Sequence, residues 1–433
     1  MESESRRTFT RNAGAAAALA TGGFLNLNPR ALGANEKVTL ALIGGHNQGR
    51  GVALRTIAAG GQFKTFCDLD DAVNAKVNPE LAKAQDKPLG HVKDYRRVLE
   101  DKDIDGVIVA VPDHWHTHIA LAACQAGKDV YLEKPVSQTI REGQLIRDAA
   151  RKYKRVMQIG TQRHCAESSR AAVEFLGTGK LGKVCLVKAR TFQVRESIGR
   201  PPDGTPPATV DYDMWLGPAP KRPFNPNRFH YNWRFYWDYG NSELGNQGVH
   251  SLDLALWGIQ TLLGDDHALP TTVANCSGIY WLDDDKEVPD TQLVTYQFRR
   301  LMLVWELRSF QRGLPGDEGF SGTPAFYGTE GTLVFDQKGW RVRWKNGSPG
   351  PEGRTTPSTI EKNFLDCVKS RALPVADIER GRLATTLCHL GNISHHLGRS
   401  VVFDPKTETF GNDREANARL SKTYRKGFEL PKV

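Results

Sequence analysis

The first third of the chain alternates between short apolar runs and longer amphipathic stretches. The apolar runs have strand length, are rich in β-branched residues and cover 37–43, 63–67, 105–111 and 129–132. Stretches of helical character separate them at 52–59, 95–99 and 119–126. Apolar runs without polar alternation are typical of strands covered on both faces. The pattern therefore predicts a doubly wound parallel sheet, and we place this domain at residues 35–160.

The second half of the chain has a different pattern. Its expected strands cover 184–191, 274–281, 292–298, 302–308 and 332–335, with apolar and polar residues alternating in 295–298. Such alternation suits a sheet with one covered face. The helical stretches 360–370 and 377–397 have the character of packing elements. Single cores stop growing near about 250–300 residues. The chain of 433 residues is therefore expected to have a second domain at 161–400 and a tail at 401–433.

Composition places the chain among soluble globular proteins, with 39% hydrophobic and 25% charged residues. The formal charge of +9 is spread along the chain, which argues against nucleic-acid binding. The apolar stretch 13–27 is too short and too rich in glycine to form a stable membrane span. The seven cysteines are irregularly spaced and predict neither a disulfide framework nor a Cys-x-x-Cys metal site.

The N-terminal segment has the features of an export signal. The stretch Ser5–Arg11 resembles a twin-arginine signal, and it precedes the apolar stretch 13–27 and small residues at Gly33 and Ala34. We read residues 1–34 as a signal segment and expect an exported, periplasmic or extracytoplasmic protein. A disordered arm is the alternative. The twin-arginine route carries proteins already folded in the cytoplasm, often around a cofactor, which agrees with the cysteine usage.

A glycine-rich loop joins the first strand to the first helix. Gly44 and Gly49 keep two positions of a dinucleotide-binding G-x-G-x-x-G motif, whereas His46 occupies the place of the middle glycine. Asp68 ends the next strand; an acid there hydrogen-bonds a ribose and repels a 2′-phosphate, so NAD is favoured over NADP. A glycine turn without a ligand is the alternative. The predicted cofactor-binding residues are Gly44, His46, Gln48, Gly49, Arg50, Asp68, Pro112, His116, Glu133, Lys134 and Gln162.

Three alternating histidines, His114, His116 and His118, follow the third strand. Side chains at this spacing cannot all converge on one ion from a helix, although a strand could present them on one face. Helix capping, packing and contacts at the cofactor edge are favoured over a metal site, and no metal is predicted.

Four further motifs resemble one family. They are VPDHWH at 111–116, AGKDVYLEKP at 126–135, IGTQR at 159–163 and GVHSLD at 248–253. Together with the glycine loop they resemble the Gfo/Idh/MocA family of sugar and inositol dehydrogenases. The resemblance implies an α/β fold: an N-terminal Rossmann dinucleotide-binding domain, then a C-terminal α/β domain with a large open, mostly antiparallel sheet. It also implies a homo-oligomer.

The same resemblance assigns catalytic roles. In the family, the lysine of Glu-Lys-Pro and the histidine of Asp-x-Gly-x-His face the nicotinamide; these positions are Lys134 and His250. Asn246 stands where the second motif has its acid. An amide cannot act as a general base or pair ionically with a lysine, so this departure bears on the usual alcohol oxidation. Asp253 lies one helical turn after His250 and is a candidate to orient it.

The stretch 199–245 is rich in Pro, Asn and aromatic residues. So long a loop in a compact domain is usually functional. Aromatic rings stack on the C–H faces of sugars, and Arg or Asp side chains hydrogen-bond hydroxyls. Burial of the loop or a subunit contact is the alternative. The predicted substrate contacts are Arg163, Trp233, Arg234, Trp237, Asn246 and Asp253.

These features predict an NAD-dependent oxidoreductase. It would transfer a hydride between a nicotinamide and a hydroxyl-bearing carbon of a sugar, sugar derivative or cyclitol. The alternative is an NAD-retaining glycosidase or lyase that acts through a transient keto sugar with no net redox change. Export favours this alternative, because free NAD is scarce outside the cytoplasm. A third hypothesis, a non-catalytic sugar- or nucleotide-binding protein, is motivated by His46 and Asn246.

Overall fold

A computed structural model describes residues 37–313, 321–336 and 338–433. The expected signal segment at 1–34 lies outside the described residues. The first domain has a six-stranded parallel sheet in the order β3-β2-β1-β4-β5-β6. Its strands are β1 Thr39–Ile43, β2 Gln62–Cys67, β3 Gly90–Val92, β4 Gly106–Val109, β5 Asp129–Leu132 and β6 Met157–Ile159.

Five helices connect these strands. They are α1 Gln48–Ala58, α2 Asp71–Gln85, α3 Tyr95–Glu100, α4 Asp113–Gln125 and α5 Ile140–Lys152. Local sequence sets several starts: the Asp70 and Asp94 side chains cap α2 and α3, and Thr139 with Glu142 forms a capping box at α5. The strand order reverses between β1 and β4, and ligands of doubly wound sheets bind at the carboxyl ends of such strands.

The second domain has a nine-stranded sheet in the order β14-β13-β12-β11-β7-β10-β9-β8-β15. Only β7 and β10 pair in parallel among its described pairs; the others are antiparallel. The strands are β7 Val184–Phe192, β8 Thr272–Gly278, β9 Thr291–Gln297, β10 Met302–Arg308, β11 Pro324–Gly328, β12 Gly331–Asp336, β13 Gly339–Trp344, β14 Pro349–Arg354 and β15 Val401–Val402. The fold class predicted from the sequence is confirmed.

The remaining helices are α6 Glu167–Gly177, α7 Tyr212–Leu216, α8 Val249–Leu263, α9 Ile360–Ser370, α10 Ile378–Leu397 and α11 Arg414–Ala418. Helices α8 and α10 pack with the inner face of the nine-stranded sheet in one core that includes Leu252, Tyr296 and Leu387. No helix of the described residues is long and apolar enough to cross a membrane.

The expected strand 274–281 ends earlier, at Gly278. The reason is the buried carboxylate of Asp290, which accepts the backbone N–H groups of Tyr280, Trp281 and Leu282 at 2.8–3.1 Å. These residues therefore leave the strand ladder and turn around one side chain.

Segments late in the chain complete the first domain. Ile378 of α10 is part of the core beneath β4 and β5, and Phe364 of α9 packs edge-on against Tyr131, with ring centroids 5.8 Å apart. The stretch 401–433, expected to be a tail, adds β15 to the larger sheet and returns to α4, where His118 Nε2 lies 2.7 Å from the carbonyl oxygen of Phe428.

Candidate active site

A cavity of about 570 Å³ lies between the carboxyl edge of the first sheet and the long loop of the second domain. It brings together most residues that the sequence predicted for the site. Its lining includes Gly44, His46, Gln48, Asp68, Pro112, Glu133, Lys134, Gln162, Trp233, Arg234, Asn246 and His250. The glycine loop and the proposed catalytic pair therefore face one space.

The loop after β1 forms a backbone cradle that only glycine permits. Gly44 has a φ of +85°, and a Cβ at Gly44 would lie 2.5 Å from the carbonyl oxygen of Ala110. A Cβ at Gly45 would lie 2.2 Å from the Phe66 ring, and one at Gly49 would lie 1.9 Å from the Gly44 oxygen. The backbone at the start of α1 thus stays bare toward the cavity, as a pyrophosphate requires.

Asp68 closes the cradle at the end of β2. Its carboxylate accepts the backbone N–H of Gly45 at 2.8 Å and that of Asp70 at 3.0 Å. Burial raises the pKa of this carboxyl, and the two N–H groups oppose the shift. The Asp68 carboxylate, as an acceptor for ribose hydroxyls, and the bare backbone of the cradle fit a dinucleotide with a free ribose diol.

His46 does not fill the cradle. Its exposed ring stacks on His230, with centroids 4.9 Å apart and planes inclined by 13°. His230 in turn hydrogen-bonds the Asp70 carboxylate at 2.9 Å. Partial desolvation lowers the pKa of both imidazoles. The histidine that replaces the middle glycine therefore connects the cofactor loop to the long loop of the second domain.

Backbone hydrogen bonds reinforce this connection. The N–H of Asp71 donates to the carbonyl of Thr209 at 3.1 Å, and the N–H of Asp211 donates to Leu69 at 3.2 Å. These bonds form a short antiparallel bridge between Asp70 and Val210. Together with the two stacked histidines they make what we call the clasp, which lies beside the Asp68 end of the cavity.

Lys134 follows β5 at the cavity edge. Its half-buried Nζ donates to the backbone carbonyl of Asn246 at 2.9 Å, in the π-helical turn Leu244–Gly248 that leads into α8. Desolvation lowers the pKa of Lys134, while the charges of Glu133 and Asp113 act in the opposite direction. The amine is thus fixed in position, and its pKa is moved toward neutrality.

His250 lies in the first turn of α8 and also faces the cavity. Within the described part of the chain its ring has no hydrogen-bond partner. Burial, together with the positive charges of Lys134 and Arg163, holds its pKa well below the usual value. The imidazole is therefore neutral at physiological pH and free to accept a proton from a ligand.

The Asn246 side chain forms hydrogen bonds with both Arg234 and Glu243. Its side-chain Oδ1 accepts from Arg234 Nη1 at 2.7 Å, and its Nδ2 donates to Glu243 at 3.0 Å. Arg234 also donates through Nε to the carbonyl of Tyr231 at 2.6 Å, and its guanidinium lies 4.1 Å from the centroid of the Tyr231 ring. Burial lowers the pKa of Arg234.

Asp113 is a cavity residue that the sequence reasoning did not select. It is buried at the start of α4, where its Oδ2 accepts from Asn241 Nδ2 at 2.8 Å. Desolvation raises the pKa of this carboxyl to about 7, against the effects of the Asn241 hydrogen bond and the Lys134 charge. Its position directly after Pro112, at the end of β4, was the available signal.

Three predicted cofactor contacts do not line the cavity. Gly49 is buried beneath the loop, where its missing side chain allows the close approach to Gly44. Arg50 points outward and pairs with Glu80 at 2.5 Å. The His116 ring lies between two carbonyl oxygens, 2.7 Å from that of Pro135 and 3.0 Å from that of Val111. These residues shape the loops and do not face the cavity.

Three predicted substrate contacts also lie elsewhere. Asp253 is buried and accepts from His164 Nε2 at 2.9 Å, so it does not orient His250. Arg163 does not line the cavity, and the charge of Asp253 acts on it. Trp237 donates its backbone and indole N–H groups to Glu287, both at 3.0 Å, and its ring packs against His396. Because of these contacts, the Trp237 side chain lines a second, smaller pocket.

The alternating histidines each meet backbone carbonyls. Besides His116, His114 Nε2 lies 2.9 Å from the carbonyl of Trp215, and His118 contacts Phe428. In the described ranges there is no group of three or more His, Cys, Asp or Glu side chains that could hold a metal ion.

Two family models match this chain. Residues 38–161 match the NAD-binding Rossmann fold of the Gfo/Idh/MocA oxidoreductases, and residues 200–430 match their C-terminal alpha/beta domain. The second match alone covers more than half of the sequence. This chain belongs to the Gfo/Idh/MocA oxidoreductase family. Its first domain is accordingly an NAD-binding domain, as the sequence predicted.

Several curated members of the Gfo/Idh/MocA family are similar over part of their length. A levoglucosan dehydrogenase of Pseudarthrobacter phenanthrenivorans is 30% identical over 28% of this chain and 32% of its own. Inositol 2-dehydrogenase 2 of Saccharopolyspora erythraea is 27% identical over 38% and 48%. A glycosyl hydrolase family 109 protein of Shewanella sp. strain ANA-3 is 33% identical over 23% and 22%. Each match spans less than half of the relative.

Solved structures share the whole fold. A levoglucosan dehydrogenase in complex with NADH and levoglucosan has a TM-score of 0.62 at 18% identity and covers 85% of this chain and 99% of its own. An aldose-aldose oxidoreductase from Caulobacter crescentus has a TM-score of 0.62 at 16% identity over 85% and 100%. At such identities the likeness concerns the fold.

Proposed function

We propose that the protein is an NAD-dependent oxidoreductase that acts on a hydroxyl-bearing carbon of a sugar, sugar derivative or cyclitol. The observation that carries the proposal is the shared cavity, in which Lys134 and the neutral His250 face the same space as the glycine cradle. The dehydrogenases among its relatives support the substrate class.

In this proposal the side chains of the protein accept the proton of the substrate hydroxyl. A bound nicotinamide supplies the hydride acceptor. The His250 ring, which forms no hydrogen bond with the described residues, accepts the substrate hydroxyl proton. Lys134 Nζ, held by the Asn246 carbonyl, donates to the same substrate oxygen and stabilises its developing negative charge.

NAD is the proposed dinucleotide in preference to NADP. Asp68 lies at the end of β2 with its carboxylate anchored to the cradle, and Asp70 stands two residues later. Two carboxylates at this point repel a 2′-phosphate. Titration of the purified protein with both dinucleotides tests this preference, and tighter binding of NADP would contradict it.

The activity is tested by incubating the purified full chain with NAD and a panel of aldoses, anhydrosugars and cyclitols. We expect nicotinamide reduction with one class of substrate. A His250→Ala variant should lose about 10²–10⁴-fold in turnover, the typical contribution of positioned proton transfer. His267→Ala, whose side chain is 72% exposed, is the control. Wild-type turnover in His250→Ala would refute the assignment.

A second candidate function is an NAD-retaining glycosidase or lyase. The clasp favours it, because a connection between the two domains beside Asp68 would slow cofactor exchange. Glycosyl hydrolase family 109 relatives also favour it. Product analysis separates the two: cleavage of a glycoside without added NAD supports the glycosidase, and accumulation of a keto sugar supports the dehydrogenase.

We also propose export by the twin-arginine route, on the basis of Ser5–Arg11. Replacing Arg6 and Arg7 by lysine should retain the protein in the cytoplasm of an expressing bacterium. Cell fractionation reads this out, and unchanged distribution would contradict the proposal.

A further inference from the structure

Two half-buried cations of the cavity converge on one neutral residue. Lys134 Nζ donates to the backbone carbonyl of Asn246, and Arg234 Nη1 donates to its side-chain oxygen. The second bond of Arg234 goes to another neutral acceptor, the carbonyl of Tyr231. Both positive charges therefore have first partners that carry no negative charge.

The carboxylates nearby are engaged elsewhere. Glu243 is paired with Arg195 at 2.7 Å, Asp113 is held by Asn241, and Glu133 accepts from Gln48 at 2.9 Å. Among the described residues, no Asp or Glu forms a salt bridge with Lys134 or Arg234. The charges of Glu133 and Asp113 act on Lys134 without forming a salt bridge, so the two partly desolvated cations lack a directly paired carboxylate. This arrangement is unfavourable, and an anion that enters between the cations lowers the penalty.

Donor groups remain open on both cations. Arg234 Nη2 donates to no side chain or carbonyl of the described chain, although the residue lines the cavity. Lys134 Nζ uses one of its three N–H groups within the same part of the chain. Stacking on Tyr231 and Trp233, at 4.1 and 4.9 Å, fixes the plane of the guanidinium. A fixed guanidinium edge is suited to a carboxylate.

We propose that the substrate is a carbohydrate with a carboxylate substituent, such as a uronate or another sugar acid, and that Arg234 binds this carboxylate. The inference rests on the proposed function, because it assigns a substrate class to the same site. Asn246 is the residue that makes the site selective, since an aspartate there would supply the counter-charge from within the protein.

The cofactor pyrophosphate is the other anion that Arg234 could contact. The glycine cradle and the N-terminus of α1 already offer backbone N–H groups to a pyrophosphate. Arg234 belongs instead to the group that includes Asn246 and Lys134. The two sources are distinguished by measuring the affinity for dinucleotide and for sugar separately.

The experiment uses the full chain saturated with NAD and measures the binding of D-glucuronate, D-galacturonate and their methyl esters by calorimetry. The ester lacks the charge of the acid and adds one methyl group, so the Arg234→Gln variant is needed to separate the loss of charge from the added bulk. At least one acid should bind about tenfold or more tightly than its ester, the strength expected of a charge-assisted hydrogen bond. Equal affinities, or no binding of either acid up to about 10 mM, would overturn the proposal.

Two variants locate the effect. In Arg234→Gln the ratio of acid affinity to ester affinity should fall to about one, and the affinity for NAD should stay within about threefold of the wild-type value. Asn246→Asp, which preserves the side-chain shape, should lower the same ratio by placing a carboxylate on Arg234, whose Nη1 contacts the side-chain oxygen of residue 246. The control is Arg200→Gln, an exposed arginine paired with Asp283. Loss of NAD affinity in Arg234→Gln with an intact acid-to-ester ratio would assign the arginine to the pyrophosphate and refute the inference.

Failure of this inference and of the proposed function are separable. If neutral sugars reduce NAD and sugar acids neither bind nor react, the inference fails and the oxidoreductase stands. If the protein binds no dinucleotide, the proposed function fails first.

Discussion

His46 and His230 stack almost in parallel across the boundary between the two domains, with ring centroids 4.9 Å apart. His46 belongs to the cofactor loop, and His230 to the loop that covers one end of the cavity. The residue that departs from the dinucleotide motif is therefore also the residue that ties the cofactor loop to its cover.

Removing this stack should speed the loss of cofactor. In His230→Ala the ring contact and the Asp70 hydrogen bond both disappear. A stacked ring pair contributes about 0.5–1.5 kcal/mol, so NAD should dissociate roughly threefold to tenfold faster. The rate is measured with the reduced cofactor, because only reduced nicotinamide fluoresces, by stopped-flow displacement of bound NADH with excess NAD. An unchanged dissociation rate in His230→Ala, compared with the His267→Ala control, would show that the clasp does not retain the cofactor.

The pH dependence of the reaction should report the charge of Lys134. Because this cation helps hold the pKa of His250 well below its usual value, the neutral base persists far into acidic solution. Lys134→Met removes the charge, so the pKa of His250 should rise and the acidic limb of kcat/KM should move to higher pH.

Arg163→Met is the matched control for that profile. The Arg163 charge also lowers the pKa of His250, by less than the Lys134 charge does, and Arg163 does not line the cavity. Its removal should move the acidic limb in the same direction by a smaller amount. A limb that stays in place or moves to lower pH in Lys134→Met would rule out His250 as the group that titrates.

Two glycines of α1 should respond oppositely to alanine. A Cβ at Gly49 would lie 1.9 Å from the Gly44 oxygen, so Gly49→Ala must displace the cradle and should weaken NAD binding. The strain should also lower the free energy of unfolding by about 1–3 kcal/mol. Urea unfolding and NAD titration measure the two effects.

Gly51 provides the comparison on the same helix. Its Cβ would meet only the end of the flexible Arg55 side chain, at 3.3 Å. Gly51→Ala should therefore be neutral or stabilising by up to about 1 kcal/mol, the difference in helix propensity. Equal effects of the two substitutions would mean that the close approach of Gly49 to Gly44 is unimportant.

Buried His389 should make the protein sensitive to acid. Burial lowers the pKa of His389 to about 4, whereas the unfolded ring titrates near its ordinary value of 6.5. The unfolded state therefore binds more protons between these values. The resulting contribution to stability is complete above pH 6.5 and is lost progressively as the pH falls toward 4, by up to about 1.4 kcal/mol per pH unit.

The His389→Gln variant isolates this contribution. Its free energy of unfolding should fall less steeply on acidification than that of the wild type, with values near about pH 8 as the reference in which neither state is protonated. Comparison of slopes cancels the effects of other groups, including Asp113, whose raised pKa acts in the opposite direction. Parallel curves for the two proteins would contradict the prediction.

The sequence predicts four strands of the first sheet, of which β1, β4 and β5 are uninterrupted apolar runs, and it does not predict the three-residue strands β3 and β6. Residues 129–132 were assigned to the strand that the structure has, as were residues 302–308 of the second sheet. In the second sheet the sequence does not predict β11 and β15, nor strands β13 and β14. The exposed arginines of β13 and the proline and glycines of β14 (Pro349–Arg354) are not typical of strands. Pairing with neighbours in the sheet stabilises both strands.

Local sequence patterns predict the position of some site residues but not the partners of others. Lys134 and Asp68 follow strands, so the edge of the sheet fixes their place. Arg50 and Asp253 also occupy plausible positions in sequence, but Glu80 and His164 bind them first. These competing partners lie 30 and 89 residues away along the chain, and no local pattern reveals them.

The return of the chain to its first domain has a consequence for biosynthesis. Ile378 belongs to the core around β4 and β5, and Phe428 and Leu430 pack against that core. While the ribosome is still translating the second domain, the nascent first domain lacks these partners. Its β4–α4 edge, which carries Pro112 and Asp113, therefore reaches its final packing only after residue 430 has been added, so that cofactor loading should be a late, post-translational event.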